Sequence, residues 1–325
     1  MAMVRDARDA LRGVITETPL LEDEDINGML GGRLFVKAEP LQRTGAFKIR
    51  GAYNRIRQLD EVGRERGVIA YSSGNHAQAV ATAARQFGVR AVIVMPHDAP
   101  ATKMARTRQL GAEVIVYERG SETREAVAER IQAERNLVLV PPNEDARVLA
   151  GAATLASELF EQVKAHNAEL DAVLVPCGGG GLTAAVAIVA EDVSPRTKVY
   201  AVEPELFDDT RRSLEVGERV SNPSGRTTIC DSIMTDQPGT LTFSINRSRV
   251  ASVLTVSDKE VCSAMKVGFD NYKLVIEPGA AVGLAAVLAG KLDNRGKRIA
   301  VIATGGNVDA STFCQCYRGA PSAVA

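Results

Sequence analysis

The sequence holds no unbroken apolar run near the roughly 18 residues that a membrane-crossing helix needs, so no membrane partner is expected. Neither sign of charge is in excess. Lys and Arg total 39 against 40 Asp and Glu, a net charge of −1, and without a basic surplus nucleic acid is not an expected partner either. Histidine is scarce at three residues, which argues against a zinc enzyme built on imidazole ligands. Cysteine comes to five, an odd number: Cys177, Cys230, Cys262, Cys314 and Cys316. The opening MAMVRDARDALRG lacks the apolar core of a secretory signal, so these read as reduced thiols in a cytoplasmic protein rather than as a disulfide framework. Cys314 and Cys316 have no further Cys or His close by to complete a metal site. There is no GxSxG elbow and no HExxH, which removes the usual signatures of serine hydrolases and zinc peptidases. Internal repeats and low-complexity tracts are absent as well.

What is present is an ordinary globular mix, 45% hydrophobic and 24% charged over 325 residues, a length that suits two domains. From residue 67 onward, short β-branched runs alternate with longer amphipathic ones. The spacing predicts strands at Val68–Tyr71, Ala91–Met95, Val114–Tyr117, Leu137–Val140, Ala172–Val175, Lys198–Val202 and Ile299–Ile302. Helices are predicted at His76–Phe87, Thr102–Leu110, Glu122–Glu134 and Leu182–Ala190, the first two closed by Gly88 and Gly111. Strands alternating with helices give a doubly wound α/β fold with mostly parallel sheets, in which ligands sit beyond the carboxyl ends of the strands. Val220–Asn246 is richer in Pro, Gly and Ser and reads as loops and short elements.

Three strand-end loops carry chemical signals. Pro176-Cys177-Gly178-Gly179-Gly180-Gly181-Leu182 places four consecutive glycines between a strand and a helix. Such a run is useful where backbone N–H groups must approach an anion, and a plain turn needs one or two glycines only. No Lys-Ser/Thr follows, so this is not a P-loop. A phosphate held by amides alone suits a resident cofactor. Ser72-Ser73-Gly74-Asn75-His76-Ala77-Gln78 offers hydroxyls, an amide and a helix N-terminus, either as a carboxylate cradle or as simple capping. Thr304-Gly305-Gly306-Asn307-Val308-Asp309 follows the last strand and could equally be an ordinary turn. The nucleophile candidate is Lys48, in Thr44-Gly45-Ala46-Phe47-Lys48-Ile49-Arg50-Gly51-Ala52. Small and apolar neighbours would lower its pKa and favour Schiff-base chemistry, although most lysines are simply surface charges.

Taken together, TGAFKIRGA, SSGNHAQ, the tetraglycine loop, IEPGAA (Ile276–Ala281) and TGGNVD resemble the β-family, or fold-type II, of pyridoxal-phosphate enzymes. Within it the likeness is to the threonine dehydratase, serine racemase and hydroxyaspartate dehydratase group, from Thr18-Pro19-Leu20 to Asn307-Val308-Asp309. The resemblance implies a tryptophan synthase β-like architecture. A large cofactor-binding domain would comprise 1–66 and 145–325, and a small substrate-carboxylate domain 67–144. It implies that Lys48 forms the Schiff base with pyridoxal 5'-phosphate and then shuttles the Cα proton, with Phe47 packed on the ring. Asn75 would meet the ring's phenolic oxygen, with Asn143 near the cofactor. Gly178, Gly179, Gly180, Gly181 and Leu182 would hold the phosphate, and Thr304 would meet the pyridine nitrogen. A hydroxyl there leaves the pyridine neutral, which favours quick loss of a β-hydroxyl over chemistry needing a long-lived carbanion. Ser72, Ser73, Asn75 and His76 match the loop that takes the substrate carboxylate.

The implied reaction is dehydration and deamination of a β-hydroxy amino acid such as L-threonine, L-serine or L-threo-3-hydroxyaspartate to a 2-oxo acid and ammonia. Ser73 also matches the second proton-transfer residue of the racemase, so an amino-acid racemase of the same fold is an alternative. A non-catalytic amino-acid-binding protein is another, though a mere binder needs no Schiff-base lysine. Arg124 matches an arginine of the racemase and hydroxyaspartate branches. It is either a partner for a β-carboxylate or a solvated helix residue beside Glu125 and Glu129. Two segments depart from the dehydratase pattern: Gly151-Ala152-Ala153-Thr154 replaces Gly-Gln-Gly-Thr, and Thr228–Ile233 replaces a run containing Ala-Asp-Gly-Val. Both leave room for a substrate other than threonine. Glu203 and Asp209, with the Phe207 carbonyl, match a divalent-cation site suited to Mg²⁺ or Ca²⁺, or else are solvated surface. A homodimer is implied, and feedback by isoleucine through a regulatory domain is not expected.

Overall fold

A computed structural model of the protein describes residues 1–99, 101–118 and 120–319. In chain order the elements begin with α1 (Ala2–Leu11), β1 (Leu20–Glu22), α2 (Glu24–Leu30), β2 (Arg33–Ala38), α3 (Lys48–Arg57) and α4 (Glu61–Arg66). Next come β3 (Val68–Tyr71), α5 (Asn75–Gln86), β4 (Ala91–Pro96), α6 (Ala101–Gln109), β5 (Glu113–Tyr117), α7 (Arg124–Arg135) and β6 (Val138–Leu139). Then follow α8 (Ala146–Ala165), β7 (Ala172–Pro176), α9 (Gly181–Val193), β8 (Lys198–Pro204), α10 (Asp209–Val216) and α11 (Thr240–Asn246). The last are β9 (Val250–Val256), α12 (Asp258–Asp270), α13 (Pro278–Leu288), β10 (Arg298–Ala303) and α14 (Ala310–Gly319).

The chain forms two compact units. One comprises Thr16–Ala46 and the chain from Leu155 onward; the other comprises Ala2–Ile15 and Phe47–Thr154. The first holds a six-stranded sheet in the order β1-β2-β10-β7-β8-β9, parallel except for β1. Its core is built on α13, where Pro278 to Val287 are all buried beside Leu174, Val202 and Val301. Since β7, β8 and β10 point the same way, the loops after Pro176, Pro204 and Ala303 leave one edge of the sheet.

The second unit holds the all-parallel sheet β5-β4-β3-β6. Its inner strands β3 and β4 are buried on both sides, as parallel strands covered by crossover helices are, while the edge strands β5 and β6 are only partly covered. The loops after β3, β5 and β6 again leave one edge and carry Ser72–Asn75, the approach to Arg124, and Pro142-Asn143.

All seven expected strands form. The sheets also take in β1, β2 and β9, which the periodicity did not announce. The compact unit around the smaller sheet reaches beyond residues 67–144, to Ala2–Ile15 and Phe47–Thr154. Ile49, Ala52 and Ile56 of α3 share a core with Ala77, Val80 and Ala84 of α5 and with Ile15 and Val148. Glycines let α3 and α8 meet backbone to backbone, since a Cβ on Gly151 would lie 2.3 Å from the Arg50 carbonyl oxygen. Lys48 thus folds with the smaller sheet rather than with the larger one.

Candidate active site

Lys48 is the first residue of α3, and its Nζ donates a hydrogen bond of 3.0 Å to the Pro142 carbonyl. The same nitrogen lies 5.0 Å from the centre of the Phe47 ring. The residue as a whole is only half-buried, yet the ammonium is poorly hydrated. Desolvation first, and then the nearby Arg124 charge, lower its pKa to about 8. No carboxylate pairs with it among the described residues. A lysine that gives up its proton this readily is suited to act as a nucleophile or a base.

Beyond β3, α5 starts at Asn75 on an N-cap that is Gly74, whose carbonyl accepts the first intrahelical bond, from the Gln78 N–H. The N–H groups of Asn75, His76 and Ala77 therefore precede any intrahelical acceptor and form a ready anion site. The Ser72 hydroxyl accepts from the Gly74 N–H at 3.2 Å and fixes the turn. Ser73 and Asn75 are half-buried beside it. The His76 ring is already engaged. It is buried, its Nε2 bonds the Val140 carbonyl at 2.8 Å, and burial together with the Lys48 charge lowers its pKa to about 3. A neutral ring committed to Val140 cannot greet a carboxylate, so any anion contact of His76 falls to its main-chain N–H.

Arg124 opens α7. Its Nε donates to Glu125 at 2.8 Å and its guanidinium carbon lies 5.6 Å over the Tyr71 ring. The terminal Nη groups have no hydrogen-bond partner among the described residues. Arg124 is part-exposed and paired with Glu125, and its charge contributes to the lowered pKa of Lys48. Asn143 follows the Pro142 carbonyl that holds Lys48.

The other expected residues belong to the larger-sheet unit. Gly178, Gly179 and Gly180 lead into α9, with Gly180 as N-cap at φ 83°, a left-handed conformation that favours glycine. A Cβ on Gly178 would stand 3.0 Å from the Ile233 backbone, and one on Gly180 would stand 2.7 Å from the Asn246 amide. The N–H groups of Gly181, Leu182 and Thr183 lie in the first turn, ahead of the first acceptor bond from the Ala184 N–H to Gly180. Thr304 is buried directly after β10. The next residue, Gly305, bridges to Ala46, and Asn307 donates to the Thr44 carbonyl.

Glu203 and Asp209 are both buried. The Glu203 carboxylate accepts from the Thr210 and Arg211 N–H groups at 2.9 and 3.0 Å, and so caps α10. Asp209 Oδ1 accepts from Asn222, while its buried Oδ2 has no partner among the described residues. Desolvation pushes both carboxyls up, and Asp209 pushes Glu203 further. Among the described residues no three His, Cys, Asp or Glu side chains converge, so the side chains alone supply at most two ligands here. Phe207 lies buried in the turn between them.

A model of pyridoxal-phosphate dependent enzymes matches residues 11–305, nearly the whole chain. The protein belongs to that family. An L-threo-3-hydroxyaspartate ammonia-lyase of Saccharomyces cerevisiae is 41% identical over 316 residues, 97% of this chain and 95% of its own. A serine racemase of Schizosaccharomyces pombe is 40% identical, covering 95% of this chain and 94% of its own. The crystal structure of a T.th. threonine deaminase superposes with a TM-score of 0.88 at 40% identity, over 95% of this chain and 98% of that one. The fold is thus that of fold-type II pyridoxal-phosphate enzymes.

Each unit taken by itself offers a feature that fits the family's cofactor: a desolvated lysine in the one, and a glycine turn at a helix N-terminus, suited to a phosphate, in the other. Reading the sequence alone missed two parts of this arrangement, the Pro142 carbonyl that holds Lys48 and the helix α11 behind the glycines. The first is a backbone atom and leaves no side-chain signal. The second lies in the aperiodic stretch after Val220.

Proposed function

We propose that this protein is an ammonia-lyase that eliminates the β-hydroxyl of a small β-hydroxy amino acid as water, a water that returns when the resulting imine is hydrolysed, so that the net products are a 2-oxo acid and ammonia; L-threo-3-hydroxyaspartate is the favoured substrate. The observation that carries the reading is Lys48, an amine with depressed pKa that shares its surroundings with the cation Arg124. Bound pyridoxal phosphate supplies the electron sink for charge released at Cα. Lys48 would hold its aldehyde carbon, Gly178–Gly181 and Leu182 its phosphate, and Phe47, Asn75, Asn143 and Thr304 its ring.

The chain's own residues account for the rest. Lys48, uncharged above about pH 8, takes the Cα proton, and Pro142 keeps the amine from wandering. Ser72, Ser73 and the first-turn N–H groups of α5 take the α-carboxylate. Arg124 offers its two Nη groups to a second carboxylate, a bidentate geometry that guanidinium suits. The name and identity of the yeast ammonia-lyase support this choice. Serine racemases are similar at nearly the same identity, and Ser73 gives that reading its candidate second proton carrier. We also propose a homodimer in the cytoplasm, and a divalent cation on Glu203, Asp209 and the Phe207 carbonyl. The orphaned Asp209 Oδ2 and two buried carboxyls fit a hard cation.

The test is a 2-oxo acid assay with L-threonine, L-serine and L-threo-3-hydroxyaspartate, on the wild type and on Arg124→Ala. Lys48→Ala should abolish all turnover, and Arg124→Ala should lose hydroxyaspartate selectively, by tenfold or more, on the order of one charge-assisted pair. An equal change for all three substrates would remove Arg124 from the specificity pocket. D-serine formed from L-serine faster than pyruvate would favour the racemase.

A further inference from the structure

The glycine loop does not stand alone. Helix α11 lies behind it, and the Thr242 hydroxyl donates to the Gly179 carbonyl at 2.5 Å. The Gly239 N–H, just before the helix, reaches the same oxygen at 3.3 Å. One turn on, the Asn246 side-chain amide donates to the Gly180 carbonyl at 3.1 Å. Thr242 and Asn246 are four residues apart, so they share a face of α11. Both are buried.

The consequence follows from peptide geometry. In a trans peptide the N–H points opposite to the C=O of the same plane, and the chain has no cis peptide. Drawing the Gly179 and Gly180 carbonyls onto α11 turns the N–H groups of Gly180 and Gly181 away from it. The Ala184 N–H also holds the Gly180 carbonyl, so the α11 anchors matter most for the Gly179 plane, in a stretch of the least restricted residue.

A second observation sets Asn246 apart. Its Oδ1 is buried without a hydrogen-bond partner. The amide cannot be turned over to relieve this, because Oδ1 would then face the Gly180 carbonyl oxygen at 3.1 Å, acceptor against acceptor. An orphaned buried acceptor costs stability, whereas a leucine of similar size would carry no such cost. An asparagine that accepts this penalty while clamping one carbonyl is better explained by what the loop must bind than by folding.

We propose that Thr242 and Asn246 are positioning residues of the phosphate cradle, fixing the N–H groups of Gly180 and Gly181 for the cofactor's phosphate. This rests on the assignment of that phosphate to the glycine loop. Neither side chain touches the reacting atoms; each acts through a glycine carbonyl.

The test compares pyridoxal phosphate with pyridoxal, which keeps the aldehyde and lacks the phosphate. Full-length protein stripped of cofactor is titrated with each, and Schiff-base absorbance gives the affinities. Thr242→Val and Asn246→Leu should each weaken pyridoxal phosphate about tenfold, the scale of a lost buried hydrogen bond to a charge-binding loop, and leave pyridoxal unchanged. Thr242→Ser should restore most of the loss. Asn246→Leu should melt no lower than wild type in the stripped state, because it removes the orphaned acceptor and the Gly180 carbonyl keeps its bond from Ala184. Equal weakening of both ligands, or an unchanged affinity for pyridoxal phosphate, would overturn the proposal. A wild type that binds the two ligands equally would instead remove the phosphate assignment itself.

Discussion

At Lys48 two effects act on one ammonium: lost hydration, and a guanidinium in the same surroundings. Both favour the neutral amine, so its pKa falls from 10.5 to about 8. The sign of the pH dependence follows. Between about pH 8 and 10.5 the unfolded chain still carries this proton while the folded one has lost it, so this group's contribution to stability rises with pH across that window. Attachment of cofactor to stripped protein should therefore accelerate with pH and level off above a midpoint near pH 8. Removing the Arg124 charge should move that midpoint upward. A midpoint unmoved in Arg124→Ala, by stopped-flow absorbance against pH, would show that the guanidinium does not reach Lys48. At this scale the sequence was informative in motifs and silent on competition. Lys48 and the glycines stood out because few other residues could serve there. The loop around His76 stood out too, but a sequence does not show that its ring is bonded to the Val140 carbonyl.

Elements show a different limit. The strands announced by periodicity are those that are apolar throughout, such as β4 and β7. β2 went unseen because Lys37 interrupts its apolar run. In the fold Lys37 is fully buried and reaches Glu158 at 3.0 Å, Gln162 at 2.9 Å and the Thr18 carbonyl at 2.7 Å. A buried cation with this many acceptors is tolerated, but its two side-chain partners lie over a hundred residues away and leave no local trace. β9 is an edge strand with Ser252 and Thr255 among its apolar residues, and its alternation is weak. The close approach of α3 and α8 was equally hidden, since it depends on Gly151 facing the Arg50 carbonyl. Gly151→Ala should be destabilising by roughly 1–3 kcal/mol, the range for forced overpacking against backbone that cannot yield. Thermal melting checks it; an unchanged Tm would mean that the helices can part without cost.

For the molecule as a whole, family and fold were legible because the motifs span nearly the entire chain in order. The boundary between the units was not, because it depends on which core α3 joins. The cation proposal also belongs to this scale. If Glu203, Asp209 and the Phe207 carbonyl hold a divalent ion, millimolar Mg²⁺ or Ca²⁺ should raise the Tm of the wild type and not that of Asp209→Asn. An equal rise in both proteins would place the ion elsewhere. The central claim, that Lys48 carries the cofactor, has a more direct test. Borohydride reduction of the cofactor-loaded protein, followed by peptide mass spectrometry, should find a pyridoxyl label on Lys48 and on no other lysine. A label on a different lysine, or none after full loading, would contradict the account.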